Sequence, residues 1–369
     1  DVGYSSSFII DEFGDEFDLE HQKIEAYCRR HQITQNGLES RLDQFSDDKV
    51  LVLGDPVLDH YIQCEERGVA SESPMLSVSP VHEEWYVGAA GLIARQLRSL
   101  GAESTLLTTL SDDGYAARFE QRLMEDDVNF ATVEVDDRPT FVKSRYLVDD
   151  QKVFKVNQGR YAPTSSRATD RLIDKLDDLL AEHDALVVTD FGYGLFGPKL
   201  IQAIGELVDK HDKPYFVDVS GSGTSSLLKF SGPTVATPTE DELRFAFGDK
   251  ESGLSHLAVN YFERTNAETL ALTLGKRGAL LFYPPEGEGE EKRSQTEYLP
   301  SLLQHPLDPV GAGDVFLSAL VAASLAGAKT TESMYLGSCL SAIHITQMGN
   351  DPVPQTTLRA YLQDRDELA

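Results

Sequence analysis

From Lys49 onward the chain alternates between short apolar runs that close on a polar or small residue and longer stretches whose apolar positions recur every three or four residues. The runs are Lys49–Asp55 (KVLVLGD), Thr105–Leu110 (TLLTTL), Ala185–Asp190 (ALVVTD), Tyr215–Val219 (YFVDV), Leu270–Gly275 (LALTLG) and Ala279–Tyr283 (ALLFY). A strand covered on both faces reads this way, because both sides of its pleat meet protein. The periodic stretches Ala89–Gly101, Ala168–His183 and Pro198–His211 each carry one apolar stripe and predict helices laid on a sheet. Strands alternating with helices predict an α/β fold, a mostly parallel central sheet with helices on both faces. Ligands of such sheets collect at the carboxyl ends of the strands, where Asp55, Asp190, Asp218 and Gly275 fall.

Two segments break the rhythm. Tyr61–Gly88 and Arg138–Arg160 alternate apolar and polar residues, the second around an Asp149-Asp150 turn, and predict a small β-sheet standing off the main one as a lid. Residues 1–47 are acidic and show no strand pattern, although Asp18–Gln32 has a helical look with Leu19, Ile24 and Tyr27 as its apolar points. The expected organisation is an N-terminal extension over 1–47 and one domain over 48–369, with lid segments near 61–88 and 138–160. Pro284–Gln295 reads as a solvated turn.

The 369 residues carry 61 acidic and 33 basic side chains, a net charge of −28. Such a field repels nucleic acid and anionic membranes, so neither is an expected partner. No apolar run reaches the roughly 18 residues of a membrane span, and the first twenty residues are too acidic for a signal peptide. Cys28, Cys64 and Cys339 have no paired or metal-type spacing, which suits reduced thiols in a cytoplasmic protein. Against this acidity, residues 138–160 hold six basic residues and two acidic ones. Lys143 and Arg145 fall on one face of a strand and, with Arg138, suit a phosphate clamp; charge protection of an edge strand accounts for them equally well.

The most distinctive stretch is DPVGAGDVFLSALVAASLAGA (Asp308–Ala328). Gly311, Ala312 and Gly313 permit a tight turn that presents amides at the start of a helix, where the dipole favours an anion. Asp314, in the first turn, is placed to take a proton from an attacking hydroxyl; the alternative is a plain helix cap. This motif resembles the signature of the ribokinase-like sugar kinases, the phosphofructokinase-B family. Five further segments match in family order: Val50–Tyr61, Val87–Ala102, Thr189–Phe196, Thr237–Leu243 and Thr273–Phe282. Within the family, GDPVLDHY, ASESPMLSV and RPTFVKSRY are most similar to the kinase domains of bifunctional heptose-phosphate kinase/nucleotidyltransferases. Tyr4–Phe13 (YSSSFIIDEF) resembles the end of a cytidylyltransferase-type domain, which would make the extension the tail of a preceding nucleotidyltransferase.

The resemblance implies a three-layer α/β/α sandwich and in-line phosphoryl transfer from ATP with Mg²⁺, with K⁺ as a further candidate ion. It implies Asp314 as base, with Gly311, Ala312 and Gly313 as anion hole. Asp55, Asp59, Gly88, Ala89, Lys143, Arg145 and Asp190 would meet a sugar or sugar phosphate, Thr273, Gly275 and Gly278 the nucleotide, and Glu242 the metal. A homodimer through the lid is also implied; the apolar residues of Pro74–Val81 would serve it or simply cover the active site. The chain departs from the family pattern at Ala89 (usually Gly), at Gly91 and Leu92 (often Asn), at Thr239 (Asn) and at Pro309 (Thr). Tyr193 and Ser220 stand where close heptose kinases carry Lys. These losses keep two other readings open, a nucleoside kinase with Trp85 and Tyr86 as stacking residues, and a degenerate kinase-like module that scaffolds a transferase.

Overall fold

A computed structural model of the chain describes residues 6–136, 138–220, 225–286, 293–303 and 305–369, with backbone alone over 6–18 and at 47. The first third runs α1 (Ser6–His31), α2 (Gln35–Gln44), β1 (Lys49–Gly54), β2 (Pro56–Val69), β3 (Leu76–Ala89), α3 (Ala90–Leu100), β4 (Glu103–Leu110) and α4 (Tyr115–Glu125). It continues with β5 (Asn129–Glu134), β6 (Phe141–Val148), β7 (Gln151–Gln158), α5 (Ser166–Leu180), β8 (Ala185–Asp190), α6 (Pro198–His211), β9 (Tyr215–Val219) and β10 (Val235–Ala236). The last part holds α7 (Glu240–Phe247), α8 (Leu254–Thr265), β11 (Leu270–Thr273), β12 (Ala279–Phe282), β13 (Thr296–Leu299), α9 (Ala312–Leu325), α10 (Thr330–His344) and α11 (Gln355–Gln363).

The large sheet has nine strands in the order β13-β12-β11-β10-β9-β8-β1-β4-β5, parallel except for the two antiparallel pairs at the β13 end. Its alternating side chains explain the apolar runs. Val50 and Val52 of β1 join one buried cluster with α3, α9 and α10, while Leu51 and Leu53 join the other with α5, α6 and α8. Helix α9 is buried continuously from Val315 to Ala323, as its nearly all-apolar sequence requires. The predicted α/β sandwich is therefore present. Strands β5, β10 and β13 and helices α2, α4, α7, α8, α10 and α11 complete it; β10, at two residues, is too short to show a period.

The extension is packed onto this frame. Ile24, Tyr27 and Cys28 of α1 and Leu38 and Leu42 of α2 lie in the same cluster as α9 and α10, and the Tyr27 hydroxyl donates to the Thr331 carbonyl at 2.9 Å. Leu19, expected as an apolar point of the helix, is half exposed. In the stretch that resembles a transferase tail, residues 1–5 and the side chains up to 18 lie outside the described residues.

The lid is a separate four-stranded sheet in the order β3-β2-β6-β7, with β2 and β6 parallel and the outer pairs antiparallel. Only Asp55 separates β1 from β2, so the first strand of the core runs straight into the lid. The return from lid to core is equally abrupt: β3 ends at Ala89 and α3 starts at Ala90. Ala89 caps α3 at φ 54°, ψ −134°, a region that an L side chain enters at a cost of roughly 1–3 kcal/mol. Gly at this position relieves the strain but loses more entropy on folding. Ala89→Gly is expected to stabilise the fold by about 1 kcal/mol in urea unfolding at unchanged m-value.

Candidate active site

The carboxyl ends of β1, β8 and β9, the lid and the start of α9 converge on one cleft. Its floor is acidic, and most of that acid is matched from within the chain. Asp55 is fully buried; Arg138 donates to its Oδ1, and the Phe191 amide donates to Oδ2 at 3.1 Å. Burial pushes the Asp55 carboxyl up and Arg138 opposes this, with Asp190 nearby raising it further. Asp59 receives Arg145 on Oδ1 and the Asn350 side-chain amide on Oδ2 at 2.6 Å. Asp190 accepts from the Gly192 amide at 2.8 Å and from Lys229 at 3.2 Å. Gly88 lies against Asp59, where a Cβ would collide with Oδ2. Arg138 and Arg145, expected to share a phosphate clamp with Lys143, thus each hold a carboxylate of the chain itself.

Lys143 is different. It is well covered, yet no carboxylate lies within ion-pair distance among the described residues. Its ammonium sits 5.0 Å from the Phe191 ring centre and 5.6 Å from that of Tyr193. Burial lowers its pKa, while Asp59 and Asp314 pull it back up.

The anion loop is held from behind by Asp308, a residue to which the sequence alone assigned no role. This fully buried carboxylate accepts from Lys152 of the lid, from Tyr61 at 2.7 Å, from the Val310 amide at 3.0 Å and from the Gly349 amide at 3.2 Å. Burial pushes Asp308 up, but these donors outweigh it and keep it below the usual carboxylate range. Gly311 follows at φ 81°, and a Cβ there would come within 2.8 Å of Asn350 Oδ1 and 3.0 Å of His344 Nε2. Asn350, a second contributor that no motif marked, therefore lies against both Asp59 and the loop. Its Oδ1 is a buried acceptor without a partner.

At the start of α9 the amides of Gly313 and Asp314 have no protein acceptor among the described residues, and Gly313 is exposed. They form the anion-binding end of a 14-residue helix. The Asp314 carboxyl is raised to about 7: burial dominates, Lys143 opposes it, and Asp59 and Glu242 add to it. Asp218 is pushed well above its ordinary value by burial and by the neighbouring Glu242 and Asp314. Glu242 is held on α7 by a capping box: the Thr239 hydroxyl accepts from the Glu242 amide at 3.2 Å, and Glu242 Oε2 accepts from the Thr239 amide at 2.7 Å. Thr239, in place of the family Asn, is therefore the helix cap.

Next to the loop lies a cavity of about 380 Å³, lined by Thr273, Gly275 and Gly278 together with Leu302, Phe316 and Ile345, and ending at Ala312 and Gly313. Gly278, at φ 91°, brings the backbone against Leu299 and Pro300 where a Cβ does not fit. An apolar slot that ends in free helix amides fits a nucleotide, with the base in the slot and the phosphates at the helix. Among the described residues, no three acidic, His or Cys side chains come together as a metal cage. The raised Asp218 and Asp314 near Glu242 nevertheless fit a hydrated Mg²⁺ carried largely by phosphates and water.

An apolar slot ended by free helix amides, beside a carboxyl raised to about 7, on an α/β sandwich with a β lid suits a phosphotransferase. The profile of the pfkB family carbohydrate kinases matches residues 47–356, and the chain belongs to that family. The resemblance read from the motifs is thereby borne out, and the protein is a carbohydrate kinase. It is 25% identical over 335 residues to the bifunctional protein HldE of Trichlorobacter lovleyi, covering 89% of this chain and 66% of that one. With HldE of Pelobacter propionicus the identity is 28% over 324 residues, covering 86% and 63%. The chain thus spans a little under two thirds of the length of these relatives. Among solved structures, phosphofructokinase-2 from Escherichia coli in complex with potassium superposes with a TM-score of 0.66 at 20% identity, covering 86% of this chain and 99% of that one. Ribokinase of Arabidopsis thaliana complexed with ribose and ATP gives 0.65 at 16% identity, with the same coverage. These likenesses establish the ribokinase-like fold.

With the Asp314 carboxyl raised to about 7 and Lys143 opposing that rise, a general-base role for Asp314 predicts that kcat/KM falls about tenfold per pH unit below that point. In Lys143→Met the acidic limb should move to higher pH. A pH–rate profile of the two proteins checks both the position and the sign.

Proposed function

We propose that the protein transfers the γ-phosphoryl group of ATP to a hydroxyl of a sugar or sugar phosphate, with Asp314 as general base and the Gly311–Gly313 turn as anion hole. The observation that carries this reading is the pairing of a base raised to about 7 with helix amides that lack a protein acceptor, one residue apart on α9. Asp314 takes the proton of the attacking hydroxyl, and the amides of Gly313 and Asp314 receive the charge that develops on the group in transit. Asp59, with Arg145 and Asn350 behind it, orients the acceptor, and Lys143 draws negative charge toward Asp314. The lid, carrying Asp59, Lys143 and Arg145, excludes water that would otherwise take the phosphoryl group. Bound Mg²⁺ neutralises phosphate charge; Glu242 and Asp218 are the residues placed to hold its water shell. Potassium belongs to the bacterial phosphofructokinase-2 structure, and the loop pinned by Asp308 is where we look for such an effect here.

The relatives named bifunctional HldE support a heptose-type acceptor and an attached nucleotidyltransferase as the natural setting. No helix among the described residues is long and apolar enough to cross a membrane, and a need for ATP supports a cytoplasmic setting. The two edge strands of the lid support a homodimer: β7 is exposed along its length with Val153, Phe154 and Val156 on it, and Leu76 and Val81 are exposed on β3 at the opposite edge.

ADP formation should require both ATP and an acceptor, and Asp314→Asn should lower kcat by about 10²–10⁴ with little change in the KM for ATP. ATP turnover that is independent of acceptor, or unchanged in Asp314→Asn, would falsify this reading. Sedimentation should give a dimer that Phe154→Glu turns into a monomer.

A further inference from the structure

The acceptor side of the cleft is poor in available positive charge. Arg138 is paired with Asp55, Arg145 with Asp59, Lys152 with Asp308 and Lys229 with Asp190. All four carboxylates are almost completely buried. Drawing any of these cations away to a ligand leaves a buried carboxylate without its counter-charge, a large penalty. Lys143 is the one cation of the cleft, among the described residues, with no carboxylate at ion-pair distance, and it lies toward Asp314, where the phosphoryl group must arrive.

What lines the cleft beside Lys143 is aromatic. Tyr193 stacks on Phe141 with ring centres 3.5 Å apart and planes 10° from parallel, and Phe191 lies 6.5 Å from Tyr193. Phe191 and Tyr193 are half-buried, so each keeps some surface for a ligand beside the Lys143 ammonium, which lies 5.0 Å and 5.6 Å from their ring centres. The Tyr193 hydroxyl has no protein hydrogen-bond partner among the described residues, and burial, with Asp55 and Asp59 adding to it, pushes it up to about 12. A sugar ring has an apolar C–H face that gains by leaving water for an aromatic plane. A phosphate dianion set there loses water, meets Asp55 and Asp59, and finds no uncommitted cation besides the one at the reaction centre.

We infer that the acceptor carries no phosphate of its own: it is an unphosphorylated sugar whose ring lies on the Phe191–Tyr193 face, with Lys143 kept for the phosphoryl group being transferred. The inference rests on the kinase reading and narrows it. Calorimetric titration with Mg²⁺ and a non-hydrolysable ATP analogue present tests it, using mannose, ribose, fructose and a manno-heptose, each against its own terminal monophosphate. The tightest-binding free sugar should bind at least about tenfold more tightly than its phosphate ester. Tyr193→Phe should keep that preference, Tyr193→Ala should weaken the free sugar, and Tyr193→Lys should shift the preference toward the ester by about tenfold. A wild-type protein that binds the ester as well as or better than the free sugar overturns the inference, as does one that binds no free sugar. ADP formation with ATP itself, followed in parallel, separates the two readings. The expected preference without ADP sinks the kinase role alone; fastest ADP release with a phosphate ester sinks only the inference.

Discussion

The structure depends on how the charge of four buried carboxylates is met. Asp55, Asp190 and Asp308 lie at the ends of core elements and Asp59 at the root of the lid, and each is matched by one cation. Breaking one such buried pair costs about 3–5 kcal/mol, so the pairs act as fasteners whatever their net worth relative to apolar packing. Two of them, Arg145 and Lys152, come from the lid strands β6 and β7, and Arg138 comes from the segment leading into β6. Lys152–Asp308 and Arg138–Asp55 therefore join the lid and the segment leading into it to the core, whereas Arg145–Asp59 ties two strands within the lid. With those cations committed, Lys143 and Asp314 remain as the uncommitted opposite charges at the centre.

The nucleotide side follows a different constraint, close backbone approach. Gly278 and Gly311 occupy positions where a Cβ meets backbone or buried polar atoms, and both adopt positive φ. Gly278 lines a cavity whose walls are mostly apolar and whose end is the amino terminus of α9. A surface carrying −28 charges adds nothing to anion binding here; the local helix amides and the Lys143 charge do. The strong overall acidity and a phosphate-handling site are compatible because the relevant fields act over a few ångströms.

Much of this was readable from the chain. The β1, β8 and β9 runs, the α9 glycine turn and the lid segments all lie where their hydrophobic patterns place them, because each pattern reflects burial of a whole element. Side-chain pairing was not readable. Arg138 and Arg145 look like a phosphate clamp until the parallel register of β2 with β6 sets Asp59 against Lys143 and Tyr61 against Arg145. Asn350 reaches Asp59 across 291 residues of sequence, and Asp308 gathers donors from β2, β7 and the Gly349 turn. No local period encodes such contacts; they exist only once the sheet order is fixed. Thr239 was misleading for a simpler reason: its hydroxyl caps α7, a use that Asn serves as well.

The central claim is that Asp314 is the proton acceptor, brought near neutrality by burial and by its acidic neighbours and held there by Lys143. The most direct measurement is a carbon-13 NMR titration of the protein labelled at aspartate carboxyl carbons, with the Asp314 resonance assigned by its loss in Asp314→Asn. A midpoint near pH 7 is the predicted result. A midpoint close to the ordinary aspartate value of about 4 would contradict the account, leaving Asp314 a solvated helix cap with no special basicity.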